Sequence, residues 1–224
     1  MINYSKSIVV APHPDDEVFG AGGTILRRKT EGAQVAWLVL TAPSADLGWT
    51  SGQVQRRAGE LRQVAAALGF DQVFNLDFPA AQLDRLPMAV LVQAVAEVFE
   101  AFRPEEVFVP HPADAHTDHR LAFTAVASCA KWFRQPSVKR LLAYETLSET
   151  DAGLGCGPGF RPSLFVDITP YLEAKLQAMS IYASELGEFP FPRSLEAARA
   201  LASLRGAASG FKAAEAFELL RERT

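Results

Sequence analysis

The sequence predicts a single α/β domain with a mostly parallel sheet and helices on both faces. Two observations predict it. Short apolar runs alternate with longer amphipathic segments along residues 7–144, and these runs are continuously apolar, as in strands that are buried on both faces. At 224 residues and 49% apolar content, the chain can bury one substantial core. We treat residues 1–145 as the core of this domain and residues 146–224 as a C-terminal strand and helical extension.

The individual elements follow from local signals. Residues 7–11 are predicted as a strand because this β-branched run is too short for a helix and ends at a proline. The helix predicted at 53–68 ends at Gly69, a residue type that favours a helix C-terminus, and the helix at 87–102 has a proline at its start. The predicted strands are 7–11, 35–40, 73–76, 106–109, 140–144 and 164–168, and the predicted helices are 18–30, 53–68, 87–102, 120–132, 171–186, 195–205 and 211–222.

Charge and hydropathy argue against several classes of protein. The 26 acidic residues outnumber the 22 basic ones, so nucleic acid or an anionic membrane is not expected as the main partner. No apolar stretch is long enough to span a bilayer, and no cleavable apolar leader follows Met1, so we expect the protein to stay in the cytosol. Cys129 and Cys156 lack the spacing of a disulfide framework or a thiolate zinc site. Whether the chain forms a homo-oligomer is left open.

The four histidines of the chain fall in two segments that each follow a predicted strand. PHPDDE (12–17) follows the first strand, and PHPADAHTDHR (110–120) follows the fourth. Ligands of parallel sheets bind beyond the carboxyl ends of the strands, so both segments are expected to face one crevice. His13, Asp16 and His119 then form a ligand set suited to one catalytic Zn²⁺ with an open position for water, and the same set accepts Fe(II), Co(II) or Ni(II).

Three further residues complete the predicted chemistry. Asp15 lies beside the ligand Asp16 and is the candidate general base for the metal-bound water. His116 is the candidate donor to a developing oxyanion, and the Asp118 carboxylate is placed to orient its ring. His111, Asp114 and Glu17 stay outside this catalytic set. Glu17 either supports the site or acts as a negative charge at the N-terminus of the helix.

The glycine-rich stretch GAGGT (20–24) raises the alternative of a dinucleotide-binding oxidoreductase. Its glycines do not fit GxGxxG, they begin nine residues after the first predicted strand, and no acidic residue ends the second strand. Close packing of a helix on the sheet explains these glycines better.

The segments PHPDDEVFGAGGT (12–24) and HTDHR (116–120) resemble the PIG-L/LmbE-like family of zinc-dependent de-N-acetylases, and RRAGELRQVAAALGF (56–70) is similar to a helix of that family. The resemblance implies a Rossmann-like α/β fold. It also implies removal of the acetyl group from an N-acetylated amino sugar, such as an N-acetylglucosamine conjugate, with Asp15 activating a zinc-bound water. The predicted metal ligands, His116 and Asp118 match family positions with the roles given above.

The resemblance also bears on the substrate. Arg57 matches a position that contacts the polar aglycone in some relatives, and the alternative is a solvated arginine on a helix face. Many relatives carry an acidic residue where Ala80 and Ala81 stand here, and Asp77 or Asp84 is a candidate substitute. The sugar, the aglycone and whether the substrate is lipid-linked are left open. A catalytically silent sugar-binding protein of the same fold is the alternative function.

Overall fold

The computed structural model describes residues 4–155 and 157–224, whose strands form one seven-stranded sheet. No helix in these two ranges is long and apolar enough to cross a membrane. The strands are β1 (Lys6–Ala11), β2 (Gln34–Ala42), β3 (Gln72–Pro79), β4 (Glu106–Pro110), β5 (Arg140–Tyr144), β6 (Leu164–Asp167) and β7 (Ala214–Glu222). The helices are α1 (Asp16–Thr30), α2 (Ser51–Leu68), α3 (Met88–Phe102), α4 (Thr117–Cys129), α5 (Leu172–Ser180) and α6 (Leu195–Ser209).

The sheet order is β3-β2-β1-β4-β5-β7-β6, and the first five strands in the chain pair in parallel. Successive side chains of a strand point to opposite faces, and β1 shows the result. Val9 packs in a core layer with residues of α1, α2, α5 and α6 on one face of the sheet. Ile8 and Val10 pack in a second core layer with residues of α3 and α4 on the other face. The predicted α/β class, with a mostly parallel sheet and helices on both faces, is confirmed.

The last element differs from the prediction, because residues 211–222 contain the strand β7 and not a helix. Alanine, glutamate, leucine and arginine dominate this segment and favour helix locally, but tertiary pairing outweighs that preference. Strand β7 is antiparallel to both β5 and β6, and Phe217 pairs with Tyr144 on one side and Leu164 on the other. The extension predicted as helical therefore ends inside the main sheet.

Cys129 is buried at the end of α4, where burial raises the pKa of its thiol to about 12. A buried, protonated thiol is poorly reactive. Cys156 lies outside the described residues.

The glycine-rich stretch lies within α1 and packs closely against neighbouring elements. A Cβ atom on Gly20 would lie 2.2 Å from Cδ2 of Tyr144, and one on Gly23 would lie 2.7 Å from Ile168. These glycines let the helix approach the sheet and sit inside the helix, not in a turn that could hold a dinucleotide phosphate.

We expect Gly20→Ala to lower the free energy of unfolding by about 1–3 kcal/mol, because the new methyl group overlaps the buried Tyr144 ring. Urea denaturation of the purified variant measures this change. Gly59→Ala in α2 is the matched control, since its Cβ meets only Arg62 at 4.0 Å. Alanine there should raise stability by up to about 1 kcal/mol through helix propensity. Equal stability of the two variants would contradict the packing explanation.

Candidate metal centre and active site

The site lies where two neighbouring strands end. β1 and β4 pair in parallel, and the loops that follow them lead directly into the N-termini of α1 and α4. His13 lies in the first of these loops, and His116 caps α4 at the end of the second. Parallel pairing thus brings two segments together that are about 100 residues apart in the chain.

The structure brings together the three residues predicted as metal ligands. His13, Asp16 and His119 each offer one atom within 4.8 Å of the other two. Asp16 Oδ2 lies 3.4 Å from His13 Nδ1 and 3.3 Å from His119 Nε2. His119 Nε2 is buried and has no hydrogen-bond partner with suitable geometry among the described residues. A buried nitrogen left in this state beside a carboxylate is a suitable ligand for a divalent transition metal.

A buried carboxylate contacts the other ring nitrogen of each candidate ligand histidine. Asp114 Oδ2 lies 2.9 Å from His119 Nδ1, and Asp118 Oδ2 lies 3.1 Å from His13 Nε2. Such carboxylates fix the ring orientation and the tautomer of metal-binding histidines. Asp114, which the sequence reasoning left outside the site, therefore supports it.

The predicted contact between the Asp118 carboxylate and His116 is wrong. The Asp118 carboxylate faces the loop after β3, where it accepts hydrogen bonds from the backbone of Ala81 at 2.8 Å and Leu83 at 3.2 Å, in addition to the His13 contact. Its backbone N–H instead donates to His116 Nδ1 at 3.1 Å. Because Nδ1 accepts this bond, a neutral His116 ring carries its proton on Nε2.

His13, His116 and Asp118 form a second, overlapping group of candidate metal ligands within 4.8 Å of one another. The oxygens of Asp118 are already engaged by the two backbone N–H groups and by His13. The group containing His119 Nε2 is the better candidate, because that nitrogen has no other partner in the described chain.

Asp15 is buried next to the candidate ligand cluster, and three neighbouring groups hold its position. Its backbone has a φ of 132°, a conformation that costs about 1–3 kcal/mol outside glycine. Its N–H donates to Glu17 Oε2 at 2.9 Å, and Tyr182 donates to the other Glu17 oxygen at 2.9 Å. Arg193 Nη1 lies 3.3 Å from Asp15 Oδ2. Glu17 thus supports the site, which decides between its two earlier interpretations.

Burial and neighbouring charges shift the pKa values of the cluster in different directions. Burial, followed by the charge of Asp16, raises the pKa of Asp15 to about 6. Burial also acts on Asp16, but the charges of His119 and His13 hold its pKa well below the usual value. Burial disfavours charged rings at His13 and His119, yet the surrounding carboxylates raise their pKa values to about 9 and about 10. The cluster therefore favours positive charge at the candidate metal position.

His116 behaves differently from the two candidate ligand histidines. Burial, together with the charges of His13 and His119, lowers the pKa of its ring. Both effects favour the neutral ring with a proton on Nε2.

The candidate cluster opens into a pocket of about 220 Å³, which we call the reaction pocket. Arg57 lines this pocket and is buried. Its Nη1 lies 3.3 Å from Glu60 Oε2, and its Nη2 donates a hydrogen bond to Glu185. The interpretation of Arg57 as a solvated arginine on a helix face is therefore wrong. The other residues that line the reaction pocket are His13, Pro14, Asp15, Thr41, Pro43, Trp49, Ala80, Ala81, His116, Glu185 and Arg193.

The two acidic substitutes proposed for Ala80 and Ala81 differ in position. Asp77 lines a groove that adjoins the reaction pocket, whereas Asp84 lines neither cavity. Only Asp77 is therefore placed to approach a substrate.

Sequence reasoning missed Arg193 and Asp114. Arg193 lies in the loop 187–194, far from both motifs, and no local pattern in that proline-rich loop marks it. Asp114 lies within PHPADAHTDHR, five residues before His119. The high density of carboxylates beside histidines in that segment was the signal that could have identified Asp114 as a site residue.

We expect Asp114→Asn to weaken the affinity for Zn²⁺ about 10- to 100-fold, because the carboxylate that orients His119 is lost while the three candidate ligand side chains remain. Competition with a chromophoric chelator measures this affinity. Asp151→Asn, an exposed aspartate in the following loop, is the control and should bind zinc as the wild type does. Equal affinities for the two variants would contradict the orienting role.

The family assignment follows from comparison with known proteins. A family model described as GlcNAc-PI de-N-acetylase (PIG-L) matches residues 8–130, which are more than half of the chain and include all seven predicted site residues. The chain belongs to the PIG-L family. Arg193 lies outside the matched segment of this PIG-L protein.

Relatives and solved structures cover nearly the whole chain. A diacetylchitobiose deacetylase of Thermococcus kodakarensis is 31% identical over 228 residues, which cover 94% of this chain and 81% of that protein. The conserved protein TT1542 of Thermus thermophilus superposes with a TM-score of 0.77 and 30% identity, covering 100% of this chain and 97% of that one.

A third structure shows how far the fold extends. The 4-carboxy-2-hydroxymuconate hydratase GalB of Pseudomonas putida has a TM-score of 0.73 at 22% identity, with 98% of each chain covered, which shows the fold alone. Homologues of this PIG-L protein include de-N-acetylases that act on acetylated amino sugars.

Proposed function

We propose that this PIG-L protein is a zinc-dependent hydrolase that removes the acetyl group from an N-acetylated amino sugar, giving acetate and a free amine. His13, Asp16 and His119 would hold one Zn²⁺. The observation that carries the proposal is the buried His119 Nε2, which makes no hydrogen bond within the described residues and faces Asp16 Oδ2 at 3.3 Å beside the reaction pocket. Support for the reaction type comes from the deacetylases among the relatives.

When bound, Zn²⁺ supplies a Lewis acid that lowers the pKa of water towards about 7 and polarises an amide carbonyl. Asp15 takes the proton from the attacking water. Its carboxylate lines the reaction pocket and keeps one orientation through the contacts with Arg193 and the backbone bond to Glu17. A base whose geometry is preset loses little freedom when the substrate arrives.

His116 provides the donor to the oxyanion that forms as water attacks the amide carbon. The ring lines the reaction pocket, and the N–H of Asp118 occupies Nδ1, so the proton on Nε2 is available for donation. The carbon–nitrogen bond then breaks, and the amine leaves with a proton from Asp15 or from His116.

The two alternative functions have less support. The chain keeps all six residues proposed for metal binding and hydrolysis, which a silent sugar-binding protein does not need. The glycines that suggested a dinucleotide site lie inside α1, where they pack against Tyr144 and Ile168.

The proposal is tested by assaying acetate release from N-acetylglucosamine and its conjugates, including diacetylchitobiose, the substrate named for the relative of Thermococcus kodakarensis. We expect turnover by protein loaded with one zinc ion per chain, loss of turnover after chelation, and recovery when zinc is restored. Fully loaded protein that releases no acetate from any of these sugars would contradict the proposed function.

A further inference from the structure

The apolar stripe of helix α2 is only partly covered by the protein. Val64 and Leu68, in its C-terminal half, are buried in the core layer that covers one face of the sheet. Val54, Ala58 and Leu61 continue the same stripe at helical spacing towards the N-terminus, but Val54 and Leu61 are half-buried and Ala58 is exposed. Leu61 packs partly against that core layer, so the N-terminal half of this apolar face is only partly covered.

The open half of this stripe forms one wall of a groove of about 1010 Å³, which we call the α2 groove. Val39 and Asn75, from the ends of β2 and β3, line it as well, and Gln82 and Arg85 lie beyond β3. A volume of this size is typical of a complete small-molecule site.

The α2 groove is continuous with the reaction pocket. Pro14, Thr41, Pro43 and Arg57 line both cavities. The reaction pocket, at about 220 Å³, is small for a substituted amino sugar. A substrate whose acetamide lies against Asp15 and His116 therefore has space for its remaining part in the groove.

The charges that line the α2 groove balance. Asp46 and Asp77 supply two negative charges to its lining, and Arg62 and Arg85 supply two positive ones. The positive charge of Arg57 is compensated by Glu60 and Glu185. A groove without net charge gives no electrostatic advantage to an anionic ligand.

We propose that the α2 groove is a second binding site that takes the aglycone of the substrate, and that it selects an uncharged, largely apolar aglycone over an anionic one. This inference rests on the proposed function. The apolar stripe of α2 supplies the binding surface, and the balanced charges of the lining give no net attraction for phosphate or carboxylate.

Three glycosides of N-acetylglucosamine test the selection: the methyl glycoside, the hexyl glycoside and the 1-phosphate. We expect kcat/KM for the hexyl glycoside to exceed that for the methyl glycoside about 10-fold, as expected when about two methylene groups leave water. The 1-phosphate should be no better than the methyl glycoside. Equal kcat/KM values for the methyl and hexyl glycosides, or preference for the phosphate, would overturn the inference.

Ala58→Glu places a carboxylate on the open part of the stripe, and Ala66→Glu makes the same change at an exposed position of α2 that does not line the groove. We expect the ratio of kcat/KM for the hexyl over the methyl glycoside to fall to about one in Ala58→Glu and to remain about 10 in Ala66→Glu. An unchanged ratio in Ala58→Glu would place the hexyl chain elsewhere.

Binding of hexyl β-D-glucoside, which has no acetamide, measures the groove independently of hydrolysis. Ligand-observed NMR should give a Kd about 10-fold weaker for Ala58→Glu than for the wild type or Ala66→Glu. Wild-type protein that binds this probe but hydrolyses none of the three acetylated glycosides would overturn the proposed function and leave the apolar site standing. Hydrolysis without this difference in binding would overturn the second site alone.

Discussion

Replacement of Asp15 by asparagine is expected to lower kcat by about 10²-fold or more while one zinc ion per chain is retained. Asparagine keeps the shape of the side chain and tolerates the positive φ of this position better than alanine does. It cannot accept the proton of the attacking water, and loss of a general base typically costs about 10²–10⁴ in rate. Acetate release with metal-loaded protein, together with metal analysis, measures both quantities.

Asp151→Asn is the control for this experiment, because it makes the same chemical change at an exposed position outside the reaction pocket. It should show wild-type kcat. Turnover by Asp15→Asn at a rate close to that of the control would remove the base assignment. A variant that has lost zinc would instead show that Asp15 acts through the metal site.

Replacement of His119 by alanine should abolish stoichiometric zinc binding and with it activity. The variant removes the buried Nε2 that faces Asp16, and two remaining candidate ligands are a poor zinc site. The loss is also visible without an assay of activity. Zinc at about 100 times its Kd stabilises a folded protein by about 2.7 kcal/mol, so the wild type should gain several degrees in Tm on adding zinc, and the variant should gain none.

His111→Ala is the matched control, since His111 is another buried histidine, in the loop that leads into α4, and is not part of either candidate ligand group. It should retain the zinc-dependent rise in Tm even if its starting stability is lower. Normal zinc affinity in His119→Ala would disprove the ligand role. Loss of zinc in both variants would mean that folding of the loop, and not ligation, controls binding.

The sequence predicted the elements whose signals are local. Continuously apolar runs bounded by prolines marked β1 and β4, and parallel pairing follows from their alternation with helices. Once the two strands are neighbours, the segments containing His13 and His119 have to meet at one edge of the sheet. The approach of the candidate ligands was therefore predictable, because it depends on topology and not on details of packing.

The strand β7 was not predictable in the same way. Its residues favour helix, and their strand conformation depends on pairing with β5, about 75 residues earlier in the chain, and with β6. Phe217 is buried there, with its ring centroid 5.2 Å from that of Phe108. Burial of Phe217 and hydrogen bonding to two neighbouring strands outweigh the local preference for helix. A short stretch of sequence contains no information about either contribution, because both depend on distant segments.

The same limit applies to the parts of the site that depend on side-chain direction. Spacing placed Asp118 near His116, but it did not reveal that the carboxylate turns to Ala81 and Leu83. Nor could spacing place Arg193 against Asp15 across 178 positions. Such contacts require coordinates, because they join segments that have no periodic relation to each other.

The antiparallel strand near the sheet's edge has a consequence for biosynthesis. Glu215 of β7 accepts hydrogen bonds from Gly23 and Thr24, within the helix that begins at Asp16, and its carboxylate also pairs with Lys175 at 2.7 Å. During translation the Glu215 carboxylate cannot make these contacts until residues 214–222 have left the ribosome. The helix that supplies a candidate metal ligand therefore gains these contacts only after β7 has been synthesised, about 200 residues after the helix itself.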